Sequence, residues 1–334
     1  MIKLKHAKLA FRYARHLLRE IGPIEVQALL TNACDLSCAY CRCPELKIGT
    51  LSTEQWKALI RELASLGTMR IKFQGGEPTL RPDFRELSAE AKNAKMITAV
   101  ITHGGHIARR EDLLDYIDEV IVSLDSPRAE VHDHQRGAGT WKPAVRTLEL
   151  ARRRSLATFV VMVVTRENLG DLEEMLRFCE RIGAGMHAQP AVFGRAAFDD
   201  RARVVGLSHE EILAMHERLA TWKEQGRPLM FSSATYRRVL RWPDATVLTT
   251  PSHGPSRCMA GRLYFHIEAN GDVWPCAQHG ADFTPGNATR DGLVKALRAC
   301  RGHNCGDCFT VYLNERKRVF ALQPSAVLEI FRRG

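Results

Sequence analysis

From Glu25 onward, short apolar runs alternate with segments whose apolar residues recur at helical spacing, and this alternation limits the fold more than any other feature. Candidate strands cover 25–32, 69–74, 96–102, 118–124, 157–164 and 185–192, with candidate helices at 53–66, 83–94, 107–116, 141–154 and 170–182. Strands joined through helices return to their sheet in the same direction, so repeated β–α–β units build a parallel sheet carrying helices. Six strands in succession predict an α/β fold, a partial (β/α)6 TIM-like barrel, with its chemistry at the C-terminal strand ends. Ser52-Thr53-Glu54 and Asn168 have the residue types of helix starts.

The flanks differ in character. Ala7, Ala10, Phe11, Ala14, Leu17 and Leu18 alternate with Lys8, Arg12, Arg15 and Arg19, which predicts a basic amphipathic helix within 1–24, stopped at Gly22-Pro23. The barrel is expected over 25–200, a helical connection over 201–254, and a small C-terminal unit over 255–334. The net charge is +10, yet residues 1–20 supply +5 and residues 315–334 supply +3. A basic character confined to the ends argues against a nucleic-acid partner. It leaves two readings for the first helix: one packed on the barrel, or one in peripheral contact with a membrane surface. No stretch approaches the roughly 20 apolar residues of a membrane span, so a cytoplasmic location is expected.

Ten cysteines punctuate the chain, four within 34–43 and five within the last 77 residues. Clusters of this kind without a secretory signal point to metal and away from disulfides. Cys34, Cys38 and Cys41 share one tight loop after the first strand. Three thiolates can hold three irons of a [4Fe–4S] cube and leave the fourth open. The alternative is zinc, with Cys43 closing a tetrahedron.

This Cys-x3-Cys-x2-Cys loop, with Tyr40 before the third cysteine, resembles the defining loop of radical S-adenosylmethionine (SAM) enzymes. The resemblance implies that the open iron chelates SAM and that Tyr40 lies beside the adenine. Gln74-Gly75-Gly76-Glu77-Pro78, ending the second strand, is similar to the GGEP segment of that superfamily. Gly75 and Gly76 let backbone approach a ligand closely, and the likeness implies that Glu77 meets the SAM amino group. Ser123 and Asp125 resemble a Ser-x-Asp segment near the ribose and methionine. The His132–Gly137 stretch resembles a His-Asp-x-x-Arg-Gly segment whose arginine, here Arg136, could pair with the SAM carboxylate. His103 stands where relatives carry asparagine. His132 and His134 could equally lie in a solvated loop. His187 and Gln189 share one face of the sixth strand, toward substrate or core.

Residues 264–276 alternate around Asn270-Gly271, a β-hairpin signal. Cys258 and Cys276 flank this hairpin, and the pair Cys305 and Cys308 follows. Four thiolates can close a second [4Fe–4S] cluster or hold zinc. The tail resembles the SPASM/twitch extensions of radical SAM enzymes, the shorter twitch form fitting five cysteines better. Cys300 is left over as an alternative ligand or hydrogen donor, Cys43 as a bystander, and Cys179 as core.

The resemblance implies reductive cleavage of SAM, driven by a reductant such as flavodoxin or ferredoxin, to a 5′-deoxyadenosyl radical. That radical is expected to abstract hydrogen from a small-molecule substrate, with oxidation through the auxiliary [4Fe–4S] cluster. Epimerisation with Cys300 as hydrogen donor, and modification of a peptide or lipid, are the alternatives. A non-enzymatic iron–sulfur or zinc protein would leave the Gly75-Gly76-Glu77 and Asp125 segments without a purpose.

Overall fold

Six strands pair in sequence order, each parallel to the next: β1 (Glu25–Leu29), β2 (Arg70–Gln74), β3 (Ile97–Thr102), β4 (Glu119–Ser123), β5 (Ala157–Val164) and β6 (Gly185–Pro190). This is the partial barrel that the alternation predicts. The computed structural model describes residues 22–191, 200–245, 247, 249–250, 258–278, 283–303, 305–321 and 323. The helix expected within 1–24 therefore falls outside the described residues, apart from 22–24.

Helices α1 (Thr53–Ser65), α2 (Phe84–Asn93), α3 (Ala129–Arg136), α4 (Trp141–Arg153) and α5 (Leu172–Ile182) connect these strands. Every second strand residue (Val26, Ala28, Ile71, Phe73, Val120, Val122) is buried in one core with the apolar stripes of the helices. In α1 that stripe is Trp56, Leu59, Ile60 and Leu63. Ser52 starts this helix as expected, its hydroxyl accepting from the Gln55 amide while the Gln55 side chain accepts from the Ser52 amide.

One helix expectation needs correction and another holds in part. Residues 107–116 hold only a short 3-10 turn, Glu111–Leu114. Residues 108–112 carry no large apolar side chain to continue a stripe from Ile107 to Leu113, so packing gives a longer helix nothing to bury. Asn168 does start a helical segment, the 3-10 turn Leu169–Asp171 that runs into α5, but its side chain does not cap it. It accepts instead from the Thr165 amide at 2.8 Å and donates to the carbonyls of Asp125 (2.7 Å) and Val163 (2.9 Å).

Beyond the barrel come α6 (Asp200–Val205), α7 (His209–Glu224), α8 (Ser233–Val239) and the short strand β7 (Thr249–Thr250). The predicted hairpin follows as β8 (Tyr264–Ile267) and β9 (Asp272–Trp274). Then come β10 (Gly286–Asn287), α9 (Leu293–Ala299), β11 (Asp307–Cys308) and α10 (Val311–Phe320). The hairpin joins the barrel: β8 runs parallel to β1, giving a nine-stranded sheet ordered β10-β9-β8-β1-β2-β3-β4-β5-β6. No described helix is long and apolar enough to cross a membrane.

α7 offers a test of this packing. His216 is fully buried, edge-on to Phe309 at 5.5 Å, and its Nδ1–H donates to the Ile212 carbonyl at 2.7 Å. Burial pulls its pKa down to about 4. The unfolded chain takes up this proton near pH 6.5 and the folded one only near pH 4, so stability is lost as pH falls through that window. The group should cost about 2–3 kcal/mol between pH 7 and 4.5. Urea midpoints at both pH values should show His216→Phe losing that much less than the native protein.

Candidate active site

The cysteine loop is set on the barrel by backbone contact. Gly76 donates to the Thr31 carbonyl at 2.7 Å and Glu77 to the Ala33 carbonyl at 2.8 Å. A Cβ on Gly75 would lie 2.3 Å from the Thr31 oxygen, and one on Gly76 would lie 2.3 Å from that of Ala33. The close approach these glycines permit is thus to the cysteine loop itself. On its far side, Ala39 donates to the Gln135 carbonyl of α3 at 2.9 Å. Asp35, between the first two cysteines, is held by His103 Nε2 at 2.9 Å and His106 Nε2 at 3.1 Å. The departure at position 103 therefore has a local purpose.

Burial pushes the Cys34 thiol up to about 12, and Cys38 and Cys41 also rise, for the same first cause. None of the ten cysteines forms a disulfide. Half-buried thiols that resist ionisation in the protein alone become thiolates beside a cationic metal centre, so this donor set fits an iron cluster. Cys43 is buried beside the loop, its amide donating to Cys41 Sγ at 3.4 Å.

The strand-end residues meet, in partnerships the sequence did not reveal. The resemblance directs Glu77 at the SAM amino group; within the fold its fully buried carboxylate accepts from the Thr79 amide (3.1 Å), the Thr102 hydroxyl (2.9 Å) and the His103 amide (2.9 Å). Arg136, which by the resemblance could pair with the SAM carboxylate, grips Asp125 with two hydrogen bonds of 2.6 and 3.1 Å. Both are buried, and a buried guanidinium takes the nearest fixed carboxylate. Tyr40 donates to the same Asp125 at 2.6 Å, under the Arg136 cation at 5.6 Å. His132 is buried and accepts from the Asp125 amide at 3.1 Å; burial holds its pKa down at about 4. His134 is exposed, with Nδ1 2.7 Å from Glu167. Ser123 ends β4 half-buried.

Cys258, Cys276, Cys305 and Cys308 line one small pocket with His303 and Gln278. Burial, reinforced by the other three thiols, drives the Cys308 thiol up. Cys300 is not in that lining; it is buried in the main core with its thiol 3.3 Å from the Val273 carbonyl, which removes it as a hydrogen donor to substrate. Cys179, in α5, is core as expected. Cys276 follows β9, which runs antiparallel to β8 and hence to β1. The second cysteine set therefore lies toward the N-terminal end of β1, and the first follows its C-terminal end.

Between the two sets the inner face of the barrel is polar. Gln27 bonds to Gln74 and to the Tyr264 hydroxyl, crossing β1, β2 and β8. His187 and Gln189 on β6 contact each other at 3.3 Å, and His187 meets the Phe231 ring at 4.7 Å. Lys72 is buried, and burial with Arg316 nearby lowers its pKa to about 7. Lys72, Gln27, Tyr264 and Arg316 were missed from the sequence. The signal was there: Glu25-Val26-Gln27-Ala28 and Arg70-Ile71-Lys72-Phe73-Gln74 put polar residues at every second position of strands that helices cover on the other face.

Residues 29–179 match the model of the radical SAM superfamily. The mycofactocin maturase MftC of Mycobacterium ulcerans is 33% identical over 316 residues, covering 86% of this chain and 80% of that protein. The chain belongs to the radical SAM superfamily. The PqqA peptide cyclase of Gluconobacter oxydans is 33% identical over 280 residues, covering 79% of this chain and 72% of that one. In fold, the chain is similar to Streptococcus suis SuiB bound to its precursor peptide SuiA, with a TM-score of 0.66, 16% identity, and coverage of 93% and 77%. The protein is thus a radical SAM enzyme of SPASM/twitch type, with a [4Fe–4S] cluster and SAM as cofactors.

The glycine contact generates a prediction. Gly76→Ala must separate the two loops, so it should cost about 1–3 kcal/mol in denaturant unfolding and lower the iron taken up on anaerobic reconstitution. Gly49→Ala, which has nothing within 4 Å of its added Cβ, should change neither.

Proposed function

We propose that this enzyme abstracts a hydrogen atom from a peptide substrate held inside the barrel and that the substrate leaves oxidised. The observation that carries this reading is the pair of cysteine sets at opposite ends of β1 with a polar interior between them. Cys34, Cys38 and Cys41 would hold the SAM-binding cluster, with Tyr40, Gly75, Gly76, Glu77, Ser123, Asp125 and Arg136 shaping the SAM pocket around it. In that pocket Glu77, Asp125 and Arg136 act as a fixed frame, since each is already paired within the fold. Cys258, Cys276, Cys305 and Cys308 would hold the auxiliary [4Fe–4S] cluster. Bound in these two places, the cofactors supply a hydrogen-abstracting carbon radical and an electron acceptor. The protein's own part is to orient the substrate with Gln27, Gln74, His187 and Gln189 and to exclude water from the buried interior.

A peptide is favoured over the free small molecule expected from sequence because a relative at 33% identity acts on the PqqA peptide. The electron for SAM cleavage would come from a flavodoxin or ferredoxin. With Cys300 buried in the core, epimerisation through that thiol loses its support.

Anaerobic reconstitution should give about eight irons per chain, as two four-iron clusters require, and 5′-deoxyadenosine when SAM and dithionite are added. Replacing Cys305 and Cys308 by alanine should halve the iron and keep 5′-deoxyadenosine formation. Zinc in place of iron at the second site would overturn the oxidative reading. Absence of 5′-deoxyadenosine from fully loaded protein would overturn hydrogen abstraction.

A further inference from the structure

Among the described residues, the charge cluster gathered at Glu25 does not balance. Glu25 and Glu119 share the inner face with Arg70, Lys72 and Arg316, two carboxylates against three cations. The arginines take both carboxylates: Arg70 bonds to Glu25 at 3.2 Å and also to Glu119, and Arg316 bonds to Glu25. Lys72 receives what is left. Its Nζ stands 3.6 Å from Glu25 Oε1, outside hydrogen-bond range, and donates to nothing else among the described residues. Yet the residue is only 8% exposed. A mostly buried ammonium with one loose ion contact keeps its donors open to a ligand, and a carboxylate is the group that would satisfy them.

A second unmet group stands close enough to feel the Lys72 charge. His187 is 6% exposed, and its Nδ1 has no partner among the described residues. Its Nε2 lies 3.3 Å from the Gln189 amide oxygen, and with the proton on Nε2 in that contact Nδ1 is an acceptor without a partner. An ammonium and an imidazole acceptor together ask for a ligand with an anionic oxygen and an N–H. A peptide carrying a carboxylate has both. Lys72 is two residues, about 6.6 Å, below the Gln74 end of β2, where the Gly75–Gly76 turn meets the cysteine loop. A peptide anchored there presents its neighbouring residues to the mouth of the barrel.

We infer that Lys72 selects the substrate by pairing with a carboxylate of the entering peptide, either an acidic side chain or a free C-terminus. This rests on the peptide reading above and names the feature by which the peptide is recognised. His187 is the positioning partner that accepts a peptide N–H beside the ion pair.

Calorimetric titration of the cluster-loaded enzyme can test this with four synthetic probes. Acetyl-Gly-Glu-Gly-amide against its glutamine counterpart isolates an acidic side chain. Acetyl-triglycine as the free acid against the amide isolates a C-terminus. One acid should bind about tenfold more tightly than its amide, the effect of one charge-assisted contact. Lys72→Met should erase that preference and Lys72→Arg should keep it. Equal binding of acid and amide in both pairs, or a preference that survives Lys72→Met, overturns the inference. The native protein gives a readout independent of folding in the variants: acetylation of Lys72 by acetic anhydride, mapped by mass spectrometry, should be blocked by the preferred acid and not by its amide. Equal labelling with both would count equally against it. None of these measurements requires SAM cleavage, so their failure is distinct from a failure to form 5′-deoxyadenosine.

Discussion

Everything at the catalytic end depends on two stretches of backbone meeting with no room for a side chain between them. Residues 31–33 leave β1 and residues 75–77 leave β2, and each bonds to the other's main chain. This contact fixes where the first cysteine stands relative to the sheet. It also buries Glu77, whose carboxylate then gathers Thr79, Thr102 and His103 and so aligns the end of β3 with the end of β2. His103 passes the constraint back to Asp35 inside the loop. On the opposite wall Asp125 performs the same service, joining Tyr40, Arg136 and the Val163 amide. This end is a frame whose buried polar side chains are already paired within the fold.

The interior below it follows a different logic. A closed (β/α)8 barrel fills its centre with layered branched side chains. Here the inward positions of β1, β2 and β6 are Gln27, Lys72, Gln74, His187 and Gln189. Buried polar groups cost free energy unless paired, and these pair with one another across the strands: Gln27 with Gln74 and Tyr264, His187 with Gln189. Arg316 closes the lower end from α10, lying over the rings of Tyr264 and Tyr312 at 5.0 and 5.2 Å. Through it the segment that follows the second cysteine set is tied to Glu25 and the base of the chamber.

What could be read from sequence was whatever chemistry repeats locally. Strand and helix periods outlined the six barrel strands and four of the five barrel helices, missing α3, and the clustering of the cysteines marked both thiol sets. Asp125 and Arg136 were visible as polar residues at a strand end. Their pairing was not, since a residue that can bind a ligand can equally bind its neighbour, and only burial decides. His132 posed the same ambiguity, resolved by the Asp125 amide. Long-range pairs left no trace at all: Arg316 and Glu25 are 291 residues apart. Lys72 was hidden for another reason. Its strand was read as a buried run, when one face meets helices and the other meets the chamber.

The pairing of β1 with β8 has a consequence for how the molecule is made. Gln27 and Tyr264, bonded across these strands, are separated by 237 residues. At ribosomal rates of 5–20 residues per second that interval lasts roughly 12–50 s. Throughout it the strand leading into the first cysteine set has a bare hydrogen-bonding edge, the kind of surface on which chains aggregate. The first thiol loop can form early, while the chamber beneath it acquires its last wall only when β8 arrives. Synthesis order therefore places closure of the reaction chamber near the end of folding.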